Sequence, residues 1–164
     1  MTDARGRGPS LKARAVALLS RREHSRQELV RKLQRHSEDA AQIEAVLDSL
    51  QQEGWLSETR YAESLLRKHT ARQGTARIVQ TLRRSGVDET FIRQARAGLQ
   101  ATEYERAWQV WHKRYGGKPA ATPAEYARQA RFLAARGFSA EVVGKILKRA
   151  GGAVDDMLAD GPAD

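Results

Sequence analysis

From Leu11 onward, Leu, Ile and Val return every three or four positions with charged residues between them, and no stretch alternates with period two. This spacing predicts amphipathic helices throughout and almost no strand. Leu11, Ala15, Leu18 and Leu19 share one face, Leu29 and Leu33 a second, and Ile43, Val46, Leu47 and Leu50 a third. Capping chemistry marks the boundaries. Ser25-Arg-Gln-Glu28 reads as a capping box, in which the serine oxygen and the glutamate carboxylate each satisfy an orphan amide. Thr102-Glu-Tyr-Glu105 and Thr122-Pro-Ala-Glu125 repeat the pattern, the second with proline at the first helical position. Gly86 and Gly137 stand where a helix closes on a left-handed residue. The expected helices are nine: 11–22, 25–36 and 39–53; 58–71, 74–85 and 88–99; 103–115, 122–136 and 139–150.

The helices fall into threes because the sequence repeats. LQRHSEDAAQI (33–43), LRRSGVDETFI (82–92) and LAARGFSAEVV (133–143) share a leucine, a glycine or serine four residues on, and a β-branched residue at the tenth step. A period near fifty residues marks a repeat architecture. Each copy is too small to enclose much core alone, so neighbours are expected to stack. The expected fold is all-α: three tandem three-helix repeats in an elongated array that stacking can curve. The repeats span 11–56, 57–100 and 101–150, with a disordered tail at 1–10 and an acidic flexible tail at 151–164. The longest internal break, GGKPAA at 116–121, is expected to be a flexible joint.

Charge adds a partner class. The net charge is +9 and the pI near 10.3, which favours an anionic partner, nucleic acid foremost. The signs are segregated. Residues 11–36 hold eight Lys/Arg against two acids, 37–63 hold seven acids against Arg60 alone, and 64–87 hold six Lys/Arg and no acid. Residues 128–149 hold six more against Glu141. Charge placed only for solubility would mix the signs.

Other chemistry is missing. GGKPAATP (116–123) has a lysine but neither the upstream glycine nor the adjoining Ser/Thr of a phosphate loop. His24, His36, His69 and His112 form no i, i+4 pair, so no metal site is expected and no cofactor is implied. With no cysteine, a reducing compartment is expected. MTDARGRGPS lacks a signal-like apolar run and no segment has membrane-spanning length, which makes a soluble cytoplasmic protein the expectation. Trp108 is assigned to the core, Trp111 is left open between core and base stacking, and Trp55 is placed in packing between repeats with Tyr61 buried beside it.

Four passages together resemble a known family: ALLSRREHSRQELVRKL (17–33), GWLSETRYAESLLRKH (54–69), GTARIVQTLRRSGV (74–87) and RFLAARGFSAEVV (131–143). They look like the RecX regulators of bacterial recombinase, over residues 11–150. Ser57-Glu58 departs from the paired aspartates common in that family, though Ser57 can still cap a helix. The resemblance implies three tandem three-helix units and no enzymatic residue. It also implies binding to RecA, chiefly RecA filaments on single-stranded DNA, and inhibition of their ATPase, coprotease and strand-exchange activities; the repeat array itself is expected to be a monomer. The residues expected to meet DNA or the filament are Arg21, Arg22, Arg26, Arg31, Lys32 and Arg35 in the first repeat. Arg67, Lys68, Arg72, Arg77, Arg83 and Arg84 extend the set into the second. Arg14 and Arg60 are expected to bridge helices instead. A helix-turn-helix regulator reading DNA bases and a helical scaffold binding only protein are the competing readings.

Overall fold

A computed structural model describes residues 8–151. Eight helices fill it: α1 (Leu11–Leu19), α2 (Arg26–Leu33), α3 (Ala40–Gln52), α4 (Glu58–Thr70), α5 (Thr75–Arg84), α6 (Glu89–Tyr115), α7 (Pro123–Ala135) and α8 (Ala140–Gly151). No β-strand occurs among the described residues. The chain forms two compact units that divide inside α4, between Leu65 and Leu66. The tails expected at 1–10 and 151–164 lie outside the described residues, apart from 8–10 and 151.

In the first unit, α1, α2 and α3 each begin on a side-chain cap. Ser10 accepts from the Ala13 amide at 3.2 Å and Asp39 from the Gln42 amide at 3.1 Å. Ser25 and Glu28 complete the expected capping box. The apolar faces close on one core of Ala15, Leu19, Leu29, Leu33, Ile43, Leu47, Leu50 and Leu56. Each fully buried leucine there is worth about 1.5–3 kcal/mol of transfer free energy. Ser57 caps α4 by accepting from the Arg60 amide at 3.2 Å. Arg60 ties the neighbouring turn together, donating to Glu23 Oε1 (2.9 Å) and to the Gly54 and Trp55 carbonyls (2.7 and 3.0 Å). Arg14, by contrast, donates to the Pro9 carbonyl in its own N-terminal segment and to no other helix among the described residues.

The second unit packs α5 on α6 and closes α6, α7 and α8 around Ala107, Trp111, Leu133, Phe138, Val143, Ile146 and Leu147. The repeated positions all serve as core: Leu33, Leu82 and Leu133 are fully buried, and Ile43, Ile92 and Val143 nearly so. Gly86 and Gly137 have φ of 75° and 89°. The Val87 amide reaches back to the Leu82 carbonyl and the Phe138 amide to that of Leu133. These are Schellman closures, which satisfy orphan carbonyls at a helix end. Gly54 ends α3 the same way, with the Trp55 amide on the Leu50 carbonyl. No described residue other than glycine has positive φ, so Ser37 turns the chain differently and accepts from the Asp39 amide instead.

Gly137 also meets Gly74. The Gly74 amide donates to the Arg136 carbonyl at 2.7 Å, and a Cβ on Gly74 would lie 2.2 Å from the Gly137 carbonyl carbon. Gly74 is the N-cap of α5 and has no side chain to cap with. The cap comes from α6, where buried Glu103 accepts from the Thr75 amide at 2.8 Å. Arg106 completes the tie by donating to the carbonyls of Thr70, Gln73 and Leu99 and to Thr75 Oγ1.

The structure corrects the expected helix break and cap at Thr102 and shows where the tryptophans lie. Helices were expected at 88–99 and 103–115, but α6 runs unbroken through both, so the described residues hold eight helices rather than nine. Thr102 caps nothing: its hydroxyl bonds back toward the Gly98 and Leu99 carbonyls inside the helix. No glycine or proline follows Gly98 until Gly116, and Gln100 and Ala101 favour helix. The tryptophan in the heart of the core is Trp111, whose indole N–H donates to buried Gln129 at 2.9 Å. Trp108 packs at the edge of that core, with the Arg149 guanidinium 3.8 Å over its ring. Trp55 is 42% exposed, while Tyr61 is buried as expected.

Candidate nucleic-acid interface

The twelve basic residues singled out by charge pattern separate into two groups. Four are already engaged. Arg26 donates to Glu44 Oε2 at 2.5 Å, Asp48 Oδ1 at 2.6 Å and Gln51 Oε1 at 3.2 Å, which pins α2 to α3. Hydrogen bonding to Glu44, opposed by some burial, holds its pKa above the ordinary arginine value. Arg22 donates to both Glu28 oxygens and to the Glu23 carbonyl. Arg83 forms a two-point pair with Glu89 at 2.7 and 3.3 Å. Arg77 donates to the Ala135 carbonyl at the end of α7.

The other eight make no ion pair among the described residues. Three of them meet in one place. Arg21, beyond the end of α1, faces Lys32 and Arg35 from the end of α2 across a hollow of about 390 Å³. Arg14 and His36 join the rim, Leu18 and Leu33 lie beneath, and no carboxylate lines it. The sequence explains the convergence. Arg21 follows the C-cap of α1, and Lys32 and Arg35 sit three apart at the close of α2, so two helix ends present cations together. Arg31 lines a separate shallow hollow with Glu44, while Arg67 and Lys68 are exposed in the last turn of α4 and Arg84 in that of α5.

Arg72 leads to residues that the charge windows missed. It stands on an open cleft of about 980 Å³ in the second unit, with Lys113 and Arg114 of α6 and Arg136 at the end of α7. Residues 112–114 escaped because they lie between the basic segments and inside a stretch read as aromatic core. The signal was the basic run His112-Lys113-Arg114 just before Gly116-Gly117, where a helix end is expected to gather cations.

Two histidines sit near these groups with depressed pKa values. Burial, reinforced by Arg22, lowers that of His24, which is only 3% exposed; its Nδ1 lies 3.2 Å from Glu28 Oε2 without hydrogen-bond alignment. Burial, then Lys68 and Arg77, lowers that of His69. Burial pushes Glu28 up, but hydrogen bonds from Arg22 and the Ser25 amide outweigh it and hold the carboxylate below its usual range. No group of three or more His, Asp or Glu able to hold a metal occurs among the described residues.

Family comparisons match this architecture domain by domain. Residues 12–50 match the first RecX three-helix domain, 57–95 the second and 101–147 the third. The chain belongs to the RecX family. It is 49% identical over 147 residues to the regulatory protein RecX of Ralstonia nicotianae, covering 90% of this chain and 92% of that one. It is 44% identical to the regulatory protein RecX of Chromobacterium violaceum, covering 93% and 97%. The crystal structure of RecX from Lactobacillus salivarius superposes with a TM-score of 0.69 at 19% identity, over 85% of this chain and 94% of that one. That likeness concerns the fold. The third RecX domain begins at residue 101, in the middle of α6, so two family domains share one continuous helix here. No helix among the described residues is long and apolar enough to cross a membrane.

Proposed function

We propose that this RecX-family protein is a regulator, not an enzyme, that binds RecA filaments on single-stranded DNA and inhibits their ATPase, coprotease and strand-exchange activities. It would act in the cytoplasm as a monomer and so restrain recombinational DNA repair. The observation that carries the reading is the hollow in the first unit, where Arg21, Lys32 and Arg35 converge without a carboxylate. Cations held in that way retain their charge for an external anion. Membership in a family whose relatives are named regulatory proteins supports the same reading. Phosphate contacts made by such a site are independent of sequence and sensitive to salt. They suit a protein that must follow a filament wherever it forms.

The test is titration of the purified protein into recombinase turning over ATP on single-stranded DNA. Inhibition is expected, and Arg21→Ala with Arg35→Ala should raise the half-inhibitory concentration about tenfold, as for about 1.4 kcal/mol lost across two contacts. Stimulation, or inhibition indifferent to the paired substitution, would contradict the reading.

A further inference from the structure

The cleft around Arg114 in the second unit has no role in what precedes, and its walls have a definite chemistry. Three segments build it. The α4–α5 turn brings Arg72, α6 brings Lys113 and Arg114 with Val110 between them, and α7 brings Phe132 and Arg136. No carboxylate lines it, and none of its three arginines nor Lys113 forms an ion pair among the described residues. Phe132 is half-buried against the core, and two guanidinium groups lie over its ring. The Arg136 guanidinium lies 4.9 Å from the Phe132 ring centroid and that of Arg114 lies 6.0 Å away. Tyr115 packs edge-on against the same ring at 5.6 Å. At about 980 Å³ the cleft is at the upper end of the range for ligand sites, roughly 300–1,000 Å³.

We infer that this cleft is a binding site for single-stranded DNA, in which Arg72, Lys113 and Arg114 take the phosphates and the Phe132 ring, with the Arg136 guanidinium laid over it, offers a flat platform to an unpaired base. The inference rests on nucleic acid being the anionic partner, and adds a site, shared by Arg72 of the second repeat and the third repeat, that works without recombinase. Cations alone would fit any polyanion. The platform narrows the choice, because single strands expose base faces that stack on flat groups, whereas a duplex keeps them inside. An acidic protein surface would use the cations and leave Phe132 idle.

The experiment is fluorescence anisotropy of a labelled oligothymidylate on the full chain, with no recombinase present. Lys113→Glu with Arg114→Glu changes two exposed side chains, and circular dichroism should show the fold intact. Affinity should fall at least tenfold, and the log–log salt slope should lose about 1.4, or roughly 0.7 per phosphate. Phe132→Leu keeps the position apolar; it should weaken binding about fivefold or more with the slope unchanged, since stacking releases no ions. Bromodeoxyuridine photocrosslinking should place a contact on 110–136. The inference is overturned if the double substitution leaves affinity and slope unaltered. It is also overturned if polyglutamate or duplex DNA displaces the oligonucleotide as well as a single strand does at equal charge, or if crosslinks fall only in the first unit. Failure to inhibit recombinase would instead count against the regulatory reading and leave this cleft standing.

Discussion

At the scale of single residues, two glycines are fixed by their surroundings as much as by their own torsions. Gly137 has φ of 89°, and a Cβ there would stand 2.4 Å from that of Arg77. A left-handed non-glycine residue costs about 1–2 kcal/mol and overpacking another 1–3 kcal/mol. Gly137→Ala should therefore lower stability by about 2 kcal/mol or more in a denaturant titration. Gly74→Ala should match it, although the torsion at Gly74 is ordinary, because the obstacle is backbone. Sequence reading found Gly137 through the repeat and overlooked Gly74, because a close approach between two loops leaves no periodic trace. His24 supplies a second test. Its pKa is lowered in the folded chain, so the unfolded state takes up protons first as pH drops through about 6.5. Stability should be full above that value and decline as pH falls below it, as His69 also dictates. His24→Gln should flatten the dependence of Tm on pH in this window. An unchanged profile would assign it to His69 alone.

At the scale of elements, helix type and most helix starts were readable, and one join was not. Thr-x-x-Glu occurs at 102–105 and at 122–125, yet only Thr122 caps a helix, accepting from the Glu125 amide at 3.2 Å. The difference lies in what precedes. Gly116 and Gly117 take positive φ and stop α6, whereas nothing before Thr102 interrupts it. Thr122→Ala should thus cost about 1 kcal/mol, and Thr102→Ala should stay within about 0.5 kcal/mol; thermal melts of the two variants decide it. The same misreading hid Glu103 and Arg106, whose partners lie some thirty residues upstream in the turn before α5. Glu103→Ala would strip the Thr75 amide of its acceptor, and a loss of about 1–3 kcal/mol is expected.

At the scale of the whole molecule, charge pattern located a basic protein but could not rank its cations. Pairing does. Arg83 must leave Glu89 before it can meet a phosphate, whereas Arg84 next to it has no ion pair among the described residues. If roughly six phosphates are neutralised, the salt slope on single-stranded DNA is about −4. Arg84→Ala should flatten it by about 0.7, and Arg83→Ala by distinctly less, in parallel salt titrations.

The unbroken α6 has a further consequence for how the chain comes apart. Tandem repeats ordinarily melt by degrees, each losing only its neighbour's interface. A 27-residue helix shared by two repeats removes that freedom from Leu66 onward. To release one repeat while keeping the other, the helix would have to break near Ala101, exposing about four amides at a new N-terminus or about four carbonyls at a new C-terminus. Opening one repeat thus strains the other, and the two should unfold as a single cooperative event. Native-state hydrogen exchange would report it: the amides from Leu99 to Glu103 should exchange only through the same global opening as those of Ile92 and Trp111.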